Sequence, residues 1–453
     1  MAGISAASVG VIYGYDLSNF AGALRYITDD FALSTHQQEM VTTALVIGQI
    51  AGTISGGLLA NTIGRKKSMV LVAVAYAVFA VLGAGVVVSL PMLAVVRFLL
   101  GLTLGVSVVV VPVFIAECAP ARMRGSLLVA YQLATVIGII AGYLAAYLLA
   151  GLHSWRWMLG LAAGPAVLVL LLLLPIPDTA RWYMLKGSVL PARQVLRCVE
   201  PEAGVERDLA EIARTLAEQR GGALIDMLRR PYWRATVFVV GLGFFAHITG
   251  INAIVYYGPR LFGAIGFAGD SALVLPALAQ VAALAAALVS LTLVDKLGRR
   301  PILLSGIAMM IAADALLIVV FAVGPAVGGA FLGLAGVVVF AAGFSLGFGS
   351  LLGVYAGESF PGRLRSMGSS AMLTADFAGS AIVAAVFLTM LNSLGGVGTY
   401  MVFGALTLVA FAFVYRFAPE TKGKQLEDIR HFWETAETPT EQAAAARVTR
   451  GPG

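Results

Sequence analysis

The stretch GLLANTIGRKK (57–67) has a counterpart far downstream, LTLVDKLGRRP (291–301), with Gly64 and Gly298 lying 234 residues apart. Each copy follows an apolar run and passes through a glycine into basic residues. Two further pairs keep the same order. IAECAPARMRG (115–125) answers AGESFPGRLRS (356–366), and in both a Glu precedes an Arg by seven residues: Glu117 and Arg124, Glu358 and Arg365. PDTARW (177–182) answers PETKGK (419–424). Three motifs repeated in one order describe a duplicated chain, and the apolar runs between them say what was duplicated.

Of the 453 residues, 59% are hydrophobic and 12% charged, and the mean hydropathy is +0.91. A soluble protein of this length cannot hide so much apolar surface. The solvent is therefore a bilayer, where about 20 apolar residues make one helical span. Backbone groups in lipid must be satisfied internally, which selects helices over open sheets. Twelve such runs fit between residue 4 and about residue 418. The run at 328–355 is long and glycine-rich, and is expected to be bent or broken. The chain divides into six spans (1–176), a polar insert (177–234), six more spans (235–418) and a polar tail (419–453). Within the insert, VERDLAEIARTLAEQR places Leu209, Ile212 and Leu216 on one face of a helix, with charges elsewhere.

The net charge of +6 is unevenly placed. If the loop after the second span is cytoplasmic, 26 of the 30 Lys and Arg residues fall on that side, leaving Arg25, Arg97, Arg156 and Arg260. Such an excess sets membrane orientation and puts both termini in the cytoplasm. It does not point to a nucleic-acid partner. Cys118 and Cys198 both fall on the reducing side, so no disulfide is expected. The first apolar run lacks a basic start and leads into further spans, unlike a cleavable signal. No nucleotide loop, zinc motif or nucleophile elbow is found, and only four histidines occur, which argues against an enzyme and against a metal or cofactor.

Six spans, an insert and six spans describe a duplicated transporter, a class that binds cargo near the midplane between halves that rock about it. With all three motif pairs in order, the chain resembles the sugar porter family of the major facilitator superfamily over essentially its whole length. The resemblance implies an all-α membrane protein with the major facilitator fold: 12 transmembrane helices in two pseudo-symmetric six-helix halves, working as a monomer among membrane lipid. It also implies a role for the motif charges. Arg65, Glu117, Arg124, Asp178 and Arg181 in one half, and Asp295, Arg299, Glu358, Arg365 and Glu420 in the other, would clasp span ends when the cavity opens outward and part when it opens inward. Arg–carboxylate pairs suit that task because they are strong and directional. The family usually carries Asp where this chain has Asn61. Asn cannot pair as an anion, so the amino-terminal clasp is expected to be the weaker.

GVIYGYDLSNFAGAL (10–24) puts Asp16 inside the first span. A bare carboxylate there costs a few kcal/mol or more. By resemblance, Asp16 answers to the aspartate of proton-coupled sugar porters, and Arg97 in VVRFLLGLTLG (95–105) to its arginine. Desolvation favours the protonated acid and a nearby Arg97 the carboxylate, so the group is suited to exchange a proton. The competing reading is a permanent ion pair that fixes span one against span four.

Sugars need amide side chains that donate and accept, plus aromatic surface. Gln132 in VAYQLATVIG and Asn252 in FFAHITGINAIVYYGP match family sugar contacts. Elsewhere the match lapses. Ala246 and His247 replace two glutamines, Ala283 an asparagine, Gly353 a tryptophan, and Asp376 an asparagine. Tyr13, Phe20, Tyr256 and Tyr257 can line the path or simply pack. Asp314 is a further intramembrane acid that can pair within the bundle. The leading reading is a proton-coupled symporter of a sugar or polyol with Gln132, His247, Asn252 and Asp376 at the cargo. A symporter of another small polar or charged solute is the alternative, as is a non-transporting nutrient sensor, although the short tail argues against the latter.

Overall fold

A computed structural model describes residues 2–119, 121–198, 202–218, 224–229, 232–267, 269–324, 329–360 and 362–422. The side chains of some residues within helices, Arg124 among them, lie outside that description, as does the tail beyond Lys422. Among the described residues there are helices and no strands.

Twelve helical segments account for the apolar runs. In chain order they are α1 (Val9–Phe31), α2 (Thr35–Ile63), α3 (Arg65–Gly85), α4 (Leu90–Cys118), α5 (Ala121–Leu149) and α6 (Trp155–Leu173), then α7 (Trp233–Ile265), α8 (Ser271–Leu297), α9 (Arg299–Val323), α10 (Gly329–Glu358), α11 (Gly362–Ser393) and α12 (Gly395–Phe417). Eleven are long and apolar enough to cross a membrane by composition alone. The exception is α1, whose Asp16, Ser18, Asn19 and Arg25 dilute its hydropathy. All four of Asp16, Ser18, Asn19 and Phe20 are nevertheless buried in protein. The multi-pass membrane character is therefore plain, and α1 belongs to its interior.

By contact the chain forms two compact units. The first comprises Met1–Arg220, Asn252–Gln280 and Ala384–Thr389; the second comprises Gly221–Ile251, Val281–Val383 and Met390–Gly453. In the first, small residues let helix backbones meet, as membrane packing requires where no hydrophobic force separates helix from lipid. A Cβ added at Gly14 would fall 1.9 Å from the carbonyl oxygen of Thr135 in α5, so only glycine allows this crossing two residues before Asp16. The polar insert follows its predicted amphipathicity. Short helices at Ala180–Leu185, Val189–Arg197 and Glu202–Glu218 close over Ala180, Ala192, Val205 and Leu209, with Ile212 packed alongside.

Local chemistry explains the helix ends and interruptions. α2 opens on a capping box in which the Ser34 hydroxyl accepts from Gln37 N and the Gln37 side chain accepts from Ser34 N. Gly250 divides α7 with φ +106° and lies under the ring of Phe403. α10 was expected to bend or break. Its regular α-helix is interrupted there by a π-helical turn at Ser345–Gly349, a device found at kinks and common at functional sites.

The repeated motif glycines perform the same task twice. Gly64 (φ +108°) and Gly298 (φ +104°) each connect two spans in a conformation that side chains rarely adopt. Added carbons would meet Asp178 Oδ2 at 2.2 Å and Glu420 Oε2 at 2.5 Å. Gly353, in contrast, has helical backbone and no atom within 4 Å of an added Cβ. Gly64→Ala should therefore lower the melting temperature of the purified protein in detergent, at a cost of about 1–3 kcal/mol of backbone strain. Gly353→Ala should leave it unchanged; equal melting of the two variants would contradict this account.

Candidate functional site

Asp16 and Phe20 are one helical turn apart and share a face of α1. Into that face α4 projects Arg97 and α3 projects Tyr76. Arg97 Nη1 donates to Asp16 Oδ2 at 3.0 Å, and the Tyr76 hydroxyl donates to Asp16 Oδ1 at 2.8 Å. The Arg97 guanidinium also sits 3.7 Å from the centre of the Phe20 ring, a cation–π contact. All four side chains are buried, Arg97 at 1% exposure and Tyr76 at 0%. Asn19, next on the helix, donates to the Met158 carbonyl of α6 at 2.6 Å. One acid thus gathers three helices of the first unit, with each carboxylate oxygen engaged by a different donor.

At one end of this unit lies a second charged cluster. Arg65 pairs with Glu117: Nη2 donates to Oε1 at 3.1 Å, and Nε lies 3.0 Å from Oε2 without hydrogen-bond geometry. Thr179 Oγ1 donates to the same carboxylate at 2.6 Å, and Arg181 Nε lies 3.8 Å away. Asp178 does something different: it accepts from the backbone N–H groups of Arg65 and Lys66 at 3.1 and 3.2 Å, capping α3. The second unit repeats the cap, where Glu420 accepts from Arg299 N and Arg300 N at 3.0 and 3.1 Å. Its clasp is looser. Arg299 bonds Asp295 at 3.1 Å and reaches Glu358 only at 3.7 Å, while Glu358 Oε2 has no partner.

The geometry bears on two expectations here. Asn61 is exposed and takes no part in the amino-terminal cluster, whose Arg–Glu contact is the shorter of the two; Arg65 Nη1 donates to the Ala60 carbonyl at 3.2 Å. Arg365 is exposed and stands outside the Arg299 cluster. Arg124 lies outside the described side chains.

At the opposite end of the first unit, near the start of α2, Glu39 is 1% exposed. Its two oxygens accept from the backbone N–H and the hydroxyl of Thr389, both at 2.7 Å. Arg260 donates to Gln38 and Thr28, and the Tyr143 hydroxyl contacts the carbonyl oxygens of Ile254 and Val255. Tyr257 donates to the Ala384 carbonyl at 2.6 Å and stacks on Phe387. Of the predicted cargo residues, Gln132 is exposed and Asn252 buried, both in this unit.

The other two predicted cargo residues meet in the second unit. His247 Nδ1 is hydrogen-bonded to Asp376 Oδ1, linking α7 to α11, with the imidazole against the Phe344 ring at the edge of the π turn. The imidazole is the more exposed of the pair. Asp314 accepts from Thr407 Oγ1 at 2.9 Å through Oδ2, and its Oδ1 has no partner. No cluster of three metal-ligating side chains occurs among the described residues.

Comparison with known proteins places these features in a family. A model described as "Sugar (and other) transporter" matches residues 2–433. The chain belongs to the sugar (and other) transporter family. It is 32% identical over 94% of its length to the galactose-proton symporter of Escherichia coli strain K12, covering 92% of that protein. It is 30% identical to the arabinose-proton symporter of the same strain, over 94% of this chain and 91% of the relative. In structure it is similar to the partially occluded inward-open xylose transporter XylE of E. coli, with a TM-score of 0.82, 26% identity, and 94% and 98% of the two chains covered. The major facilitator fold of this family member is thereby shown.

Three participants escaped the reading of the transporter's sequence. Tyr76 stands in AVAYAVFA as the single hydroxyl of an apolar run, Thr179 sits between two motif residues, and Glu39 lies in the polar lead-in to α2. A lone hydroxyl in a span is the one signal that could have found Tyr76. Because each Glu117 oxygen has its own donor and the Arg299–Glu358 contact is long, Glu117→Gln should open the basic end more than Glu358→Gln does. Thiol labelling of single cysteines at that end measures it, and equal labelling of both variants would contradict the asymmetry.

Proposed function

We propose that this family member is a secondary active transporter that carries a sugar or polyol together with a proton by alternating access. The observation that carries the proposal is the buried carboxylate of Asp16 held at once by a fixed cation, Arg97, and a neutral hydroxyl, Tyr76. Intramembrane acids are functional by default. Galactose, arabinose and xylose appear with protons in the names of its relatives and structural neighbours.

In this reading ionised Asp16 holds Arg97 and Tyr76 and so ties α1 to α3 and α4. A proton arriving from water on one side bonds to a carboxylate oxygen, cancels the anion and releases Arg97. After the protein changes access, the proton leaves to the other side and the ion pair re-forms. Each positive charge carried inward draws on ~2.3 kcal/mol per 100 mV of membrane potential. The charged residues at the Arg65 and Arg299 ends act as gates, with Arg124 and Arg365 as auxiliary partners in other conformations. That basic end and both termini face the cytoplasm. The 177–234 insert lies on that side, and the monomer is the working unit.

Gln132, His247, Asn252 and Asp376 take the cargo. One observation favours a solute other than a plain hexose: the His247–Asp376 hydrogen bond joins an ionisable acid and base where neutral amides are usual in the family, and a Cβ at Gly353 would meet open space. A charged or differently shaped polar solute is the second reading.

Asp16→Asn in proteoliposomes should abolish uphill accumulation driven by an imposed pH gradient while leaving exchange of cargo across the membrane measurable. Gradient-driven accumulation at the wild-type level would refute the assignment. His247→Gln combined with Asp376→Asn restores neutral amides and should shift preference toward unmodified hexose and pentose in a competition panel of sugars, polyols, amines and acids. An unchanged panel would remove the pair from the cargo site.

A further inference from the structure

At the basic end of the first unit, a cleft of about 380 Å³ is lined by Lys66, Lys67, Asp178, Trp182, Tyr183 and Lys186, with prolines and Ser188 completing its wall. Asp178 is the only acid in the lining, and its carboxylate is occupied by the backbone N–H groups of Arg65, Lys66 and Thr179. Three ammonium groups therefore outnumber one anion whose oxygens are committed to capping α3. Lys66 Nζ donates to the Leu174 carbonyl at 2.8 Å, and Lys67 Nζ lies 6.0 Å from the centre of the Trp182 ring. Lys67 and Lys186 are exposed.

The repeat shows how this surplus arises. In the second unit Arg300 donates to the Tyr415 carbonyl at 2.7 Å, much as Lys66 does to Leu174. The next residue there is Pro301, whereas the first copy has Lys67. The extra charge of the first copy is not needed to cap a helix or complete the Arg65–Glu117 clasp.

The position of the cleft selects its ligand. It sits where α3 begins and just past the end of α6, at the ends of two spans apolar enough to cross a membrane. In α6, which ends just before the lining residue Pro177, Leu168, Leu171 and Leu172 are exposed, as are Leu174, Leu185, Val189 and Leu190 near the lining residues in sequence. Exposed apolar side chains neighbouring a cationic cleft in sequence fit an amphiphile better than a free ion. Basic groups just outside a span attract anionic lipid, and long lysine stems suit the interface.

We propose that this cleft binds the phosphate headgroup of an anionic glycerophospholipid, with Lys67 and Lys186 reaching the phosphate and the acyl chains lying along α6. Phosphate is the shared chemistry of lipid and free anion, and the flanking leucines assign the lipid.

The test uses the full chain, purified in detergent and melted with phosphatidylglycerol, with phosphatidylcholine, or with sodium phosphate. Phosphatidylglycerol should raise the melting temperature of the wild type, because a ligand that binds only the folded state stabilises it. Phosphatidylcholine and sodium phosphate should not. The double variant Lys67→Gln, Lys186→Gln should lose the shift. Lys296→Gln removes an exposed charge from the matching loop of the second unit and should keep it. A shift of equal size with sodium phosphate would overturn the lipid as ligand. A shift retained by the double variant, or lost equally in Lys296→Gln, would overturn the cleft as its site.

Discussion

A charge buried away from water must be paired, hydrogen-bonded or neutralised, and in this chain that requirement decides which helices meet. Removing one partner of a buried ion pair typically costs about 3–5 kcal/mol, because the other charge is left stranded. The first unit answers the requirement at three depths. Glu39 is held by Thr389 at one end, Asp16 by Arg97 and Tyr76 within, and Glu117 by Arg65 and Thr179 at the other end. None of these groups can shift alone. Either the partner moves with it, or a proton or another donor takes the partner's place.

The same requirement exposes how far the two copies have diverged. Both keep a glycine at positive φ and a carboxylate that caps the following span, Asp178 in one and Glu420 in the other. That shared part is structural: it turns the chain and starts a helix. The clasps differ. Glu117 accepts from Arg65 on one oxygen and from Thr179 on the other, while Glu358 keeps one oxygen unpartnered. Asn61 stands outside the first clasp, where the backbone carbonyl one residue earlier accepts a guanidinium bond from Arg65.

The spans, the duplication and the need of Asp16 for a partner were legible in the sequence because each leaves a one-dimensional trace; that the partner is Arg97 came from the family resemblance. Apolar length marks a span, repeated spacing marks a copy, and an isolated charge in an apolar run demands a partner. What was not legible depends on rotation about helix axes. Tyr76 faces Asp16 and not lipid only because of how α3 is turned, and the spacing of apolar residues in a helix apolar all round carries no such phase. Thr389 reaches Glu39 across 350 residues of chain, a distance no local pattern spans. The glycine-rich run at 328–355 marks an interrupted helix, but the form of the interruption, a π turn, is not written in its composition. His247 and Asp376 were visible as departures from the family, but that they bond to each other needed coordinates.

The distinction between a permanent ion pair and a proton carrier rests on what Asp16 binds besides Arg97. An arginine stays charged throughout, so protonating Asp16 leaves a cation in place with only the Phe20 ring opposite it. Cation–π contact is worth about 2 kcal/mol when desolvated, too little to stand in for a buried carboxylate. The proposed cycle therefore couples release of Arg97 from Asp16 to a change that brings the guanidinium water or another acceptor. Tyr76 works in the same direction, since its hydroxyl can turn to accept from a protonated Asp16 and lets the acid stay put while Arg97 moves. A site built only to lock α1 against α4 needs the arginine alone. In the proposed proton-coupled cycle, the added hydroxyl would give the neutral acid a partner as well.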